Sequence, residues 1–223
     1  MRGNGGIMRA LVIGASGGIG SALTAQLRGQ GEVVGLSRRE HGLDVTDEAQ
    51  VQAALGRLEP GFDRLWIASG ILAVTAPEKS MRQFGDDFVQ VMAVNALGPM
   101  LVLKHALRLL PRDRRVEVGV LSAKVGSIGD NHLGGWYSYR ASKAALNQLM
   151  HGAAVEIARS HPQAVLALLH PGTVDTPFTA QYAPPYEKLS PDDAAGRLIA
   201  VMAGLTTAQS GGFFDYSGAE LPW

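Results

Sequence analysis

Tyr139 and Lys143, in the run Tyr139-Arg140-Ala141-Ser142-Lys143, have the types and spacing to do chemistry, and Ser122 lies a short way upstream. Side chains four apart on a helix stand one above the other on a shared face. Residues 137–159 are rich in Ala and Leu and free of Pro, which predicts a helix there. An ammonium held beside a phenol favours the phenolate and lowers a pKa that is ordinarily ~10. The pair would then be a general acid–base able to work near neutral pH. Tyr137 is excluded by the same spacing, because four residues beyond it stands Ala141. Taken alone, a Tyr-x-x-x-Lys pattern arises easily by chance, and a surface Lys lying along a Tyr ring is the plainer reading.

An acid–base pair needs a reaction partner, and the start of the chain offers one. Residues 9–13 form a short apolar run ending in Gly14-Ala15-Ser16-Gly17-Gly18-Ile19-Gly20, and residues 21–28 then read as a helix stopped by Gly29 and Gly31. Strand, glycine turn and helix together suggest a dinucleotide site. Backbone without side chains can approach a pyrophosphate at a helix N-terminus, where free N–H groups and the macrodipole attract anions. Residues 32–36 form the second strand, followed by Ser37-Arg38-Arg39. A carboxylate there would bind a free ribose 2′-hydroxyl, whereas Arg accommodates a 2′-phosphate. Two Arg precede the first acid, Glu40, so NADP(H) is favoured over NAD(H), against the plainer reading of two solvated surface Arg. Leu43-Asp44-Val45 comes too soon after Leu36 for a usual crossover helix, so the connection is abbreviated.

The remaining elements follow in alternation. Thr46-Asp47-Glu48 begins a helix reaching residue 57, and residues 62–68 are a strand ending Ala68-Ser69-Gly70, small residues that let a ligand approach. Residues 77–85 read as loop with a short helical turn. Residues 86–110 are helical, but Pro99 cannot donate to residue 95, so a kink is expected near Asn95. Residues 115–121 are a strand with Ser122 just past its end, and 123–135 a Gly-rich loop bordering a pocket. The helix at 137–159 is apolar on nearly every face, which suggests a contact with another subunit. Residues 164–170 form a buried strand, 173–189 a Pro-containing loop placed to act as a substrate lid, 191–205 the last helix, and 212–216 the final strand. Ser69, Phe178 and Tyr182 are candidate pocket residues, and Trp223 is expected to dock on the core or on a partner. The pattern implies a single α/β domain over residues 8–223, a doubly wound parallel sheet with helices on both faces, behind a flexible leader at 1–7.

Composition narrows the function. Lys plus Arg equals Asp plus Glu at 20 each in 223 residues, so nothing argues for a nucleic acid or anionic membrane partner. Cys is absent, which excludes disulfides and thiolate metal sites. Six scattered His, without supporting carboxylate pairs, give no metal-site spacing. The start is polar rather than apolar, and no apolar run approaches the ~18 residues of a membrane span. These features fit a cytoplasmic location.

On these residues the chain resembles a short-chain dehydrogenase/reductase from residue 8 to its C-terminus. Gly14, Gly18 and Gly20 correspond to that family's glycine motif, and Asp44-Val45 to its adenine-contacting pair. Asn95, Ser122, Tyr139 and Lys143 fall in the order of its catalytic tetrad, and Pro171-Gly172 through Thr176 matches the segment beside the nicotinamide. The runs at 126–131 and 135–143 and the shortened segment after Arg39 resemble its C-factor-like and sniffer-like carbonyl reductase branch. Two departures stand out: Ile13 where Thr is common, and Ala68-Ser69-Gly70 in place of an Asn-rich run. The resemblance implies a Rossmann fold, a homodimer or homotetramer, and NADP(H)-dependent interconversion of a small carbonyl compound and its alcohol. It implies that Ser122 holds the carbonyl oxygen, Tyr139 supplies the proton, Lys143 binds ribose and lowers the Tyr139 pKa, and Asn95 keeps a relay water. Cofactor contacts are expected from Gly14, Ser16, Gly17, Gly18, Ile19, Gly20, Ser37, Arg38, Arg39, Asp44, Val45, Ala68, Ser69, Gly70, Asn95, Tyr139, Lys143, Pro171, Gly172, Val174 and Thr176. C-factor also implies an alternative, a cofactor-binding signalling or regulatory protein with little physiological catalysis.

Overall fold

The computed structural model describes residues 7–180, 182 and 184–223, so most of the expected leader lies outside the described residues. Six parallel strands form one sheet in the order β2-β1-β3-β4-β5-β6. They are β1 (Met8–Ile13), β2 (Gly31–Leu36), β3 (Arg64–Ile67), β4 (Val116–Leu121), β5 (Ala164–His170) and β6 (Phe213–Asp215). Successive side chains on a strand point to opposite faces, so a sheet covered on both sides needs apolar residues at every position. In β5, Ala164, Leu166 and Leu168 enter one core while Val165, Ala167 and Leu169 enter the other.

Among the described residues, α-helices cover both faces. One core is closed by α1 (Gly18–Arg28) and α7 (Pro191–Gly204), through Leu23, Leu27, Leu198 and Met202. The opposite core takes residues of α3 (Glu48–Gly56), α5 (Gly98–Ala106) and α6 (Tyr137–Ile157). Between β2 and α3 only the four-residue α2 (Arg38–His41) intervenes. Leu43 to Val45 then run on without joining the sheet, and Val45 packs closely against Gly98. A Cβ on Gly98 would lie 2.7 Å from Val45 Cγ2, so that contact requires glycine.

The expected kink takes the form of a π turn. After α4 (Asp87–Met92) the chain widens into a π segment, Ala93–Leu97, before α5. Widening the turn accommodates the donor that Pro99 lacks without ending the helix. The continuous run Asp87–Leu109 has 23 residues and is apolar enough, by length and composition, to cross a membrane, which corrects the sequence expectation. Here Val91, Ala96, Val102, Leu103 and Ala106 of that run are buried within the protein.

Candidate active site

The strand order reverses between β1 and β3, and open α/β sheets bind ligands at such a point beyond the strands' carboxyl ends. A cleft of about 710 Å³ opens there, continuous at Ser16, Gly17 and Ala68 to Gly70 with a second of about 360 Å³. The glycine turn forms their common floor. A Cβ on Gly20 would sit 2.1 Å from the Gly14 carbonyl oxygen, and one on Gly18 would sit 2.4 Å from Thr176 Cγ2. The N-terminus of α1 has no side-chain cap, leaving its backbone N–H groups for an anion. Ser69 Oγ, buried in the same wall, has no protein partner. This cradle fits a dinucleotide, whose pyrophosphate the α1 N–H groups would hold.

The smaller cleft is lined by Gly14, Ser37, Arg38, Arg39, Asp44 and Val45. Ser37 caps α2 by accepting from Glu40 N–H, which holds the two Arg at the cleft edge. Arg39 Nη2 donates to Ser16 O at 3.2 Å and so folds back over the glycine turn. Asp44 accepts from Thr46 N–H and hydroxyl at 2.9 and 2.7 Å, bonds that hold its carboxyl below the usual carboxylate range.

The larger cleft holds Ser122, Tyr139 and Lys143. Ser122 follows the end of β4, while Tyr139 and Lys143 occupy successive turns of α6. A short turn at Lys124–Gly126 packs on α6 because a Cβ on Gly126 would lie 2.8 Å from Lys143 Cβ. Lys143 Nζ lies 5.8 Å from the Tyr139 ring centroid and donates to Leu121 O at 3.0 Å. Burial dominates both ionisations: it pushes the Lys143 pKa down to about 8 and the Tyr139 phenol well above its ordinary value. In the protein without cofactor the net shift of the phenol is upward, with desolvation as its cause.

Asn95 stands behind Gly70 of the cleft wall, on the side of Lys143: a Cβ on Gly70 would lie 3.2 Å from Asn95 Oδ1 and 3.6 Å from Lys143 Nζ. It is fully buried, and its amide accepts from Ile71 N–H and donates to Ile71 O, both at 2.8 Å, and to Ser142 Oγ at 3.0 Å. Those bonds fix the backbone after β3, which cannot be anticipated from local pattern. The other expected cofactor residues all line one cleft or the other.

Three residues escaped the sequence reading. Asn147, one turn beyond Lys143, accepts from Ser122 Oγ at 2.6 Å, and its Nδ2 is buried without a partner. Half a turn of that amide would give Ser122 a donor instead and free the hydroxyl proton for the cleft. Continuing the Tyr139–Lys143 spacing by four finds this residue. Glu78 caps α6, accepting from the Ser138 N–H at 3.2 Å and from the Ser138 hydroxyl. His170, with Nδ1 unpartnered, lines the cleft, and burial pushes its pKa down to about 4. In the loop at 173–189 Val174 is bridged to Leu189, and Phe178, Tyr182 and Tyr186 line the cleft, while Gln181 and Ala183 lie outside the described residues. Trp223 docks on the core as expected, stacked on Phe213 at 5.9 Å, and its carbonyl accepts from Gly129 N–H at 2.8 Å.

Residues 39–187 match the short chain dehydrogenase family. The chain belongs to that family. It is 32% identical to the 1-hydroxy-2-glutathionyl-2-methyl-3-butene dehydrogenase of Rhodococcus sp. (strain AD45), covering 96% of this chain and 98% of the relative. The C-signal protein of Myxococcus xanthus is 36% identical over 61% of this chain and 79% of its own length. Among solved structures, a short-chain dehydrogenase/reductase from Burkholderia multivorans with bound NADP superposes with a TM-score of 0.83. It is 31% identical and covers 98% of this short-chain dehydrogenase and 100% of its own chain.

Proposed function

We propose that this short-chain dehydrogenase is an NADP(H)-dependent oxidoreductase that interconverts a carbonyl compound and its alcohol, with Tyr139 as the proton donor in reduction. The observation that carries the reading is the convergence of Ser122, Tyr139 and Lys143 in one cleft, with the glycine turn in its wall. When bound, the nicotinamide supplies or accepts the hydride. Ser122 orients the carbonyl oxygen by hydrogen bonding. Tyr139, kept protonated at neutral pH by burial, holds the proton that reduction requires. Lys143, with a pKa of about 8, is mostly cationic at pH 7 and stabilises the phenolate left behind. Asn95, through Ile71 and Ser142, keeps the wall and helix in register, and a relay water beside it is part of the proposal.

NADP(H) preference rests on Arg38 and Arg39 at the adenosine end and on the NADP held by the Burkholderia relative. A homodimer or homotetramer is supported by exposed apolar side chains on α4, the π segment and α6, namely Val89, Leu97, Leu149 and Val155. Similarity to C-signal favours a second reading, a cofactor-binding signalling or regulatory protein with little physiological catalysis. Loss of NADPH absorbance in the presence of carbonyl compounds separates the two. Tyr139→Phe should abolish that loss while NADPH binding persists; a variant retaining most of its turnover removes Tyr139 from the proton-donor role.

A further inference from the structure

Trp136 is the only non-glycine among the described residues with a positive φ, at 50°, and it follows Gly134 and Gly135, at 64° and 66°. L side chains rarely adopt this conformation. It is held by two backbone bonds, Trp136 N–H to Glu78 O at 2.6 Å and Arg140 N–H to Trp136 O at 2.8 Å. The consequence is the position of the indole. It stands edge-on to the Tyr139 ring, with centroids 6.2 Å apart at 67°, and edge-on to Tyr182 at 5.5 Å and 77°. Phe178 also packs against the Tyr139 ring, at 5.9 Å. The proton donor is therefore flanked by aromatic rings, and Leu72 and Leu133 continue the apolar lining.

The cations of the same cleft already have partners. Among its described lining residues, Lys124 pairs with Asp130 at 3.4 Å and Arg140 donates to Gly135 O at 3.0 Å. Lys143 donates to Leu121 O, and Arg39 lies at the cofactor end on Ser16 O. Each of these described cations is thus already tied to a protein oxygen, which counts against a carboxylate or phosphate as the group that anchors the substrate.

Resting on the reductase reading, we propose that the substrate is an uncharged carbonyl compound with an aromatic ring joined to the C=O carbon. Its ring would pack against Trp136 and Phe178 while its oxygen meets Ser122 and Tyr139. In reduction, hydride from reduced nicotinamide forms the new C–H bond at the carbonyl carbon. The π pair moves to oxygen, which takes the Tyr139 proton, and the cofactor is oxidised by two electrons. Aromatic contacts of this kind favour a ring over a saturated analogue by about 3- to 10-fold.

The test compares kcat/KM for benzaldehyde, cyclohexanecarboxaldehyde and 4-carboxybenzaldehyde with NADPH and the full chain. Conjugation makes benzaldehyde the less electrophilic of the first two, so a preference for it reports recognition rather than reactivity. We expect benzaldehyde to exceed both others by about 3- to 10-fold. Trp136→Leu should bring the aromatic-to-saturated ratio near one, Phe178→Leu should lower it, and Trp136→Phe should keep most of it. Equal or better turnover of the saturated or anionic aldehyde overturns this inference alone, as does an unchanged ratio in both Leu variants. Absence of turnover with every carbonyl compound overturns the reductase reading, and this inference with it.

Discussion

Removing the Glu78 carboxylate should loosen the first turn of α6, the turn that carries Tyr139. Glu78 is 8% exposed and Ser138 is 3% exposed, so water does not readily replace their contacts. Glu78→Ala strands the Ser138 N–H and hydroxyl in the interior. Leaving a buried polar group unpaired costs about 1–3 kcal/mol, and losing a helix N-cap costs about 0.5–2 kcal/mol. Because the two effects overlap at one residue, a net loss of about 3 kcal/mol is expected. Glu78→Gln keeps an acceptor oxygen but removes the negative charge at the positive end of the helix, so its loss should be about 1 kcal/mol. Urea unfolding followed by far-UV circular dichroism measures both, provided the m value is unchanged. A small displacement of Tyr139 also lowers turnover, by about tenfold or more for Glu78→Ala. A Glu78→Ala protein within about 0.5 kcal/mol of the parent, or a Glu78→Gln protein as damaged as Glu78→Ala, would refute the capping argument.

Three further outcomes can be checked. Gly20→Ala drives a Cβ into the Gly14 carbonyl and should weaken NADPH binding at least about tenfold in a fluorescence titration; parent-like affinity would remove the close-approach argument. Asn147→Ala should lower kcat by about 5- to 100-fold through Ser122. Ser122→Ala and the double variant should then be strongly non-additive with it, and simple additivity would separate the two residues. Burial depresses the His170 pKa to about 4, so below its ordinary 6.5 the unfolded chain binds a proton that the folded one refuses. Stability should fall by about 3 kcal/mol as pH drops from 6.5 towards 4; His170→Gln should flatten that decline in pH-dependent urea melts, and an unaltered decline assigns it to other groups.

Local rules made much of this protein legible in its sequence. Alternating apolar strands and helices gave the parallel sheet, because each strand must be apolar on both faces to lie between two helix layers. The glycine turn was readable because only residues without a Cβ allow the Gly14 to Gly20 crossing. Tyr139 and Lys143 were readable because four-residue spacing is a property of the helix itself. Tertiary structure decided what depends on partners remote in the chain. Asn95 meets Ile71, Glu78 reaches across 60 residues to Ser138, and Ser122 meets Asn147 25 residues on. It also decided the sense of the Tyr139 ionisation. Spacing brings a positive charge near the phenol, but desolvation is set by every surrounding atom and has no local signature in the chain.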